Sequence, residues 1–171
     1  METKRPSDAP DTPVRPDLSS LWDFAVAVHG RPDVDALCLE LQDSHGQCVS
    51  LLLWRLWTLV EGRAVSAETL EAATACARLW DDAAVAPLRA VRRRLKAPHP
   101  PVPDAARQAL RGRVADVELA AERLLIETLE ALAAPSGAGE EASLPALIAL
   151  TAGWGKPAPS EPLERLIAAA L

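Results

Sequence analysis

Apolar residues recur along the chain at helical spacing, and the breaks between them mark the elements. Leu21, Phe24 and Val28 share one face of a helix predicted from Ser20 to His29; Ser20 with Asp23 forms a capping-box pattern, and Gly30 stops the helix. A second helix is predicted from Pro32 to Ser44, with proline at its first position and a stripe of Val34, Leu37, Cys38 and Leu41. From about Gln47 to Glu61 the pattern has no polar face. Val49, Leu51, Leu52, Leu53, Trp54, Leu56, Trp57, Leu59 and Val60 leave only Ser50, Arg55 and Thr58 as interruptions, so residues 48–60 are expected to be buried all round, as the hub of the fold.

Ser66 caps a fourth helix that turns Leu70, Ala73, Cys76 or Ala77, and Trp80 inward. Pro87 must kink or restart it, and Leu88, Val91 and Leu95 continue its inner side as far as the proline-rich break after Lys96. The longest helix is predicted over 104–134. One seam runs through Leu110, Val114, Val117, Ala121, Leu124 and Thr128, and a second through Leu125, Ile126, Leu129 and Leu132. That is more apolar surface than one neighbour covers, which suggests self-association over Val117–Leu132. Residues 135–142 read as a linker, and 143–171 as two short helices, near 144–151 and 162–170, docked on the body. The result is an all-α, single-domain helical bundle spanning 18–134, preceded by a tail, 1–17, too proline-rich and charged to fold.

Composition sharpens this picture. Among 171 residues there is no Tyr and one Phe, while Ala and Leu dominate, so strand propensity is low throughout. No apolar run is long enough to cross a bilayer, the N-terminus has no apolar signal core, and the net charge of −6 suits a cytoplasmic protein. Three cysteines without a C-x-x-C pair fit a reducing compartment. Phosphate-loop, dinucleotide, nucleophile-elbow and zinc-helix motifs are all missing, and no cofactor is expected.

Four places invite chemistry. Asp43, His45 and Cys48 straddle a helix corner; they need not converge and have no further His or Cys to complete a shell, so a metal is not expected. Arg55 lies inside the apolar helix, where a charge needs a partner or a route to water. Asp81 and Asp82 face no second acidic pair and read as solvated acids. The fourth feature is a run of charge. Between Ala83 and Ala115 stand Arg89, Arg92, Arg93, Arg94, Lys96, Arg107, Arg111 and Arg113 against one acid, Asp104, giving +7 within a −6 chain. If the two helices form a hairpin over the proline linker, these cations gather at one tip.

The stretch LWDFAVAVHGRPDVDALCLELQDSHGQCVSLLLWRLW, with PLRAVRRRLK beyond it, resembles a family of small uncharacterised proteobacterial proteins known only as a domain of unknown function. The resemblance spans about 18–133. It implies a compact helical protein and brings no activity or catalytic residue with it. The reading that follows is a non-enzymatic protein that binds a macromolecule through the basic tip, or a second copy of itself. The partner would be an acidic protein surface, with nucleic acid and anionic lipid as further possibilities. The alternative is a small-molecule-binding or hydrolytic protein with a polar pocket around Asp43, His45 and Arg55.

Overall fold

A computed structural model describes residues 20–133, Pro135 and 143–171. The predicted tail and, apart from Pro135, the predicted linker lie outside the described residues. The chain is all-α. Its helices are α1 (Leu21–His29), α2 (Val34–Asp43), α3 (Val49–Val60), α4 (Ala67–Trp80), α5 (Ala86–Arg94), α6 (Asp104–Leu132), α7 (Leu144–Trp154) and α8 (Ser160–Ala170), and a π-helical turn, Asp81–Val85, joins α4 to α5.

Helix α3 is the hub. Ten of its twelve residues, Ser50 to Leu59, are buried, and α1, α2, α4, α6, α7 and α8 all pack on it. Trp54, Trp57, Leu52 and Leu56 are almost wholly enclosed. Local chemistry sets the ends of the neighbouring helices. The Ser20 hydroxyl accepts from the Asp23 N–H at 3.0 Å and donates to the Asp23 carboxylate at 2.6 Å, fixing the start of α1. The Ser66 hydroxyl accepts from the Thr69 N–H at 3.0 Å and starts α4.

The start of α2 differs from the sequence expectation. Pro32 stands in a turn before the helix, because Asp33 adopts a left-handed conformation (φ 64°) that a right-handed helix cannot pass through. Aspartate tolerates this conformation better than most residues. After α2, Gly46 (φ 63°) reverses the chain, and the Trp154 indole N–H donates to the Gly46 carbonyl at 2.9 Å. The Gln47 amide donates to the Lys156 carbonyl at 2.8 Å, so this corner is tied to the segment after α7. Leu147, Leu150, Leu163 and Leu166 of α7 and α8 belong to the same core as α3.

The α4–π–α5 rod runs antiparallel to α6. Trp80 donates its indole N–H to the Ala121 carbonyl at 2.8 Å, Arg92 meets Glu118, and Arg107 meets the end of α5. Ala73 and Ala77 let α4 come close to its neighbours; Cys76 is only partly buried. Pro87 lacks an N–H, and its ring crowds the carbonyl four residues earlier. The rod absorbs this just upstream by opening into a π turn, in which the Ala86 N–H reaches back five residues to the Asp81 carbonyl.

Of the expected first seam of α6 only Ala121 is buried. Leu110, Val117 and Leu124 are 50–54 % exposed. The buried face is Arg107, Glu118, Ala121, Leu125, Ile126 and Leu129. Two charged residues occupy inward positions because each finds partners there, Arg89 and Arg92 of α5 for Glu118, and Asp104 with the Leu95 and Lys96 carbonyls for Arg107, and this rotates the apolar row Leu110–Val117–Leu124 outward. On α5, Val91 is likewise exposed, while Leu88 and Leu95 are partly buried.

Candidate functional site

The eight cations of the basic segment divide into two groups. Arg89 and Arg92 turn toward α6 and neutralise its buried carboxylate. Arg89 Nε lies 3.3 Å from Glu118, its terminal nitrogens 3.1 Å from Glu122 and 3.9 Å from Asp81, while Arg92 donates to both Glu118 oxygens, one at 3.0 Å. Glu118 is 4 % exposed, which is sustainable only because two guanidiniums replace its lost water. Arg107, also buried, donates to the carbonyls of Leu95 and Lys96 and to Asp104 at 3.1 Å. It therefore closes the C-terminus of α5, where a cation complements the helix dipole. Arg93 pairs with Asp43 across the surface. With both partners nearly half exposed, that contact is worth at most about 1 kcal/mol.

Arg94, Lys96, Arg111 and Arg113 form the second group. Among the described residues none of the four makes an ion pair, and the Arg111 Nε is buried without a hydrogen-bond partner. Val102 and Leu110, both half exposed, stand in the same tip segment. Four of the eight cations are therefore used inside the fold, among them Arg107 at the end of the hairpin, and four are not.

Asp43, His45 and Arg55 turn to different partners among the described residues. Asp43 is drawn to Arg93; His45 points toward Glu40, 3.8 Å away; Arg55 is buried in α3, where it donates to the Thr58 hydroxyl at 3.4 Å. None of the three lines the clefts described below. Cys48 begins α3 and is partly buried; desolvation pushes its thiol, like that of Cys38, up to about 12, so both stay protonated and unreactive. Among the described residues no group of three or more His, Cys, Asp or Glu is placed to hold a metal ion, and no helix is long and apolar enough to cross a membrane.

Sequence reasoning passed over Glu118 and Glu122, and it placed Asp81 in solvent. The three carboxylates share Arg89 and Arg92 and outnumber them by one in formal charge. Burial raises the Glu122 and Asp81 carboxyls above the ordinary range, and Arg89 partly opposes the rise. The only sequence signal was their spacing: 118, 122, 125 and 129 share a helix face, with two acids at one end of it.

Beside this cluster lies a groove between α1, α2, α3 and α6. One lobe, of about 190 Å³, is walled by Trp22, Val26, Leu39, Leu53, Leu119 and Ile126, with His29, Gln42, Ser50 and Glu122 as polar groups. A second lobe, of about 260 Å³, shares Leu39, Gln42, Leu119 and Glu122 with the first and ends at Arg92 and Glu118. At the far side Arg123 stacks on the Trp22 ring at 4.7 Å.

No curated protein and no solved structure matches the chain. A family model does, over residues 20–129, which takes in α1 through most of α6: the hub helix, the basic hairpin and the buried ionic cluster together. The chain thus belongs to the family described as Protein of unknown function (DUF2390).

Proposed function

We propose that this is a non-enzymatic interaction protein that docks an acidic protein surface on the tip of its α5–α6 hairpin. The observation behind this reading is that Arg94, Lys96, Arg111 and Arg113 stay unmatched while the other four cations of the segment are used within the fold. Like charges held together oppose folding unless something outside the chain offsets them. Val102 and Leu110 among them supply the apolar contacts that give such a surface more than charge.

The test uses the full chain against immobilised polyglutamate, duplex DNA and anionic vesicles, at about 0.1 M and about 1 M salt, over which the screening length falls from about 10 Å to about 3 Å. The wild type is expected to hold polyglutamate at low salt and release it at high salt. The variant Arg94→Gln/Lys96→Gln/Arg111→Gln/Arg113→Gln is expected to hold none. Retention of DNA or vesicles without polyglutamate would change the partner class, and equal retention by both proteins would remove the tip from the account.

A second surface supports self-association as a companion role. Leu110, Val117 and Leu124 recur every seven residues on one flank of α6, and Leu79 of α4, 74 % exposed, shares a cleft with Leu124. A row of this kind suits a helix from a second copy.

A further inference from the structure

We propose that the groove between α1, α2 and α6 binds a small organic cation whose apolar body is about the size of an aromatic bicycle. This site is separate from the hairpin tip, and its test does not depend on the tip. Three half-exposed apolar side chains from three different helices, Val26, Leu39 and Leu119 (53–55 %), frame one mouth. Single exposed apolar residues are ordinary on a protein surface; three converging on one concavity mark a binding site. The lobe beneath, about 190 Å³, has room for roughly six waters' share of liquid volume, which is ring-sized rather than drug-sized.

The polar groups decide the charge of the occupant. On the groove floor the Ser50 hydroxyl, 8 % exposed, makes no hydrogen bond among the described residues. Glu122 reaches both lobes and shares Arg89 with Glu118 and Asp81, and the five-residue cluster is one positive charge short. His29, at the α1 end of the groove, is held by Asp35 at 3.0 Å. An ammonium group beside Glu122 would supply the missing charge, and an anion would add to the excess. The hydrophobic walls supply affinity, and the carboxylate selects the sign.

Tryptamine, indole-3-propionate and indole share one apolar body and differ in charge. Each is titrated into the full chain, with calorimetry for affinity and backbone amide shifts for location. Tryptamine is expected to bind about tenfold more tightly than indole and more tightly still than the anion, shifting amides of α1, α2 and α6. In Glu122→Gln the preference for the amine should vanish. In Leu39→Lys, a change at a half-exposed position that places a cation at the mouth, amine binding should be lost while the circular dichroism spectrum stays that of the wild type. Equal affinity for all three compounds, or shifts confined to other helices, would overturn the proposal. So would a concentration-dependent dimer that Leu39→Lys dissolves without any amine binding in the wild type, since a second copy would then be the occupant.

Discussion

A carboxylate that is 4 % exposed, as Glu118 is, depends on partners 26 and 29 residues away in sequence, and nothing local announces it. This is why the charged positions of α6 were legible as residues and illegible as core: charge burial is decided by what another element brings. Removing one partner of such a cluster strands the other. Glu118→Ala is expected to cost about 3 kcal/mol in chemical denaturation, at the lower edge for a buried pair because Arg92 keeps some contact with water. Glu122 makes a different prediction. Desolvation raises its carboxyl above the ordinary value of 4.5; Arg89 and Arg92 pull it down, and Glu118 pushes it up. Over the interval between the ordinary and the raised pKa the folded chain binds a proton that the unfolded chain has released. Stability therefore falls as pH rises through that interval. Glu122→Gln is expected to flatten this fall in a series of melting curves from about pH 4 to pH 8, and an unchanged slope would assign the dependence to Asp81 instead.

Among the elements, α3 was the most legible. An unbroken apolar circumference admits only one environment, and ten of twelve residues are buried. Leu52→Asp is expected to cost on the order of 5 kcal/mol, comparable with the whole stability of a small domain, and to give an insoluble or non-cooperatively melting protein. The first seam expected on α6 fails, apart from Ala121, for a related reason. Its apolar row was read as the inner face because charges were assumed to point outward, whereas Arg107 and Glu118 hold the inward positions. The exposed row then becomes a prediction of its own. Val117→Asp is expected to leave the melting temperature within a few degrees of the wild type, because the site is half solvated, and to abolish any dimer that sedimentation detects at high concentration. The candidate site was half visible. The cations could be read from the sequence, but their division between internal and outward use rests on acids in α2, the π turn and the distal half of α6.

Across the whole molecule the hairpin cations fall into two sets: Arg89, Arg92, Arg93 and Arg107 have acidic partners, and Arg94, Lys96, Arg111 and Arg113 have none among the described residues. Because Arg94, Lys96 and Arg113 form no ion pair among the described residues, removing them together should leave the melting temperature unchanged or raise it slightly, by relief of repulsion. A loss of several degrees would mean that the acidic body already answers the tip. The π turn at Asp81–Val85 bears on how such chains can change length. It holds one residue more than a regular turn, so the faces of α4 and α5 keep their orientation on either side of a local insertion. Deleting Ala83 alone should be harmful, since a regular helix would press the Pro87 ring against the preceding turn. Deleting Ala83 together with Pro87→Ala should restore folding with Arg89 and Arg92 still facing Glu118. Two changes each damaging or neutral alone would then be tolerated as a pair, and lineages that lose this residue should lose the proline with it.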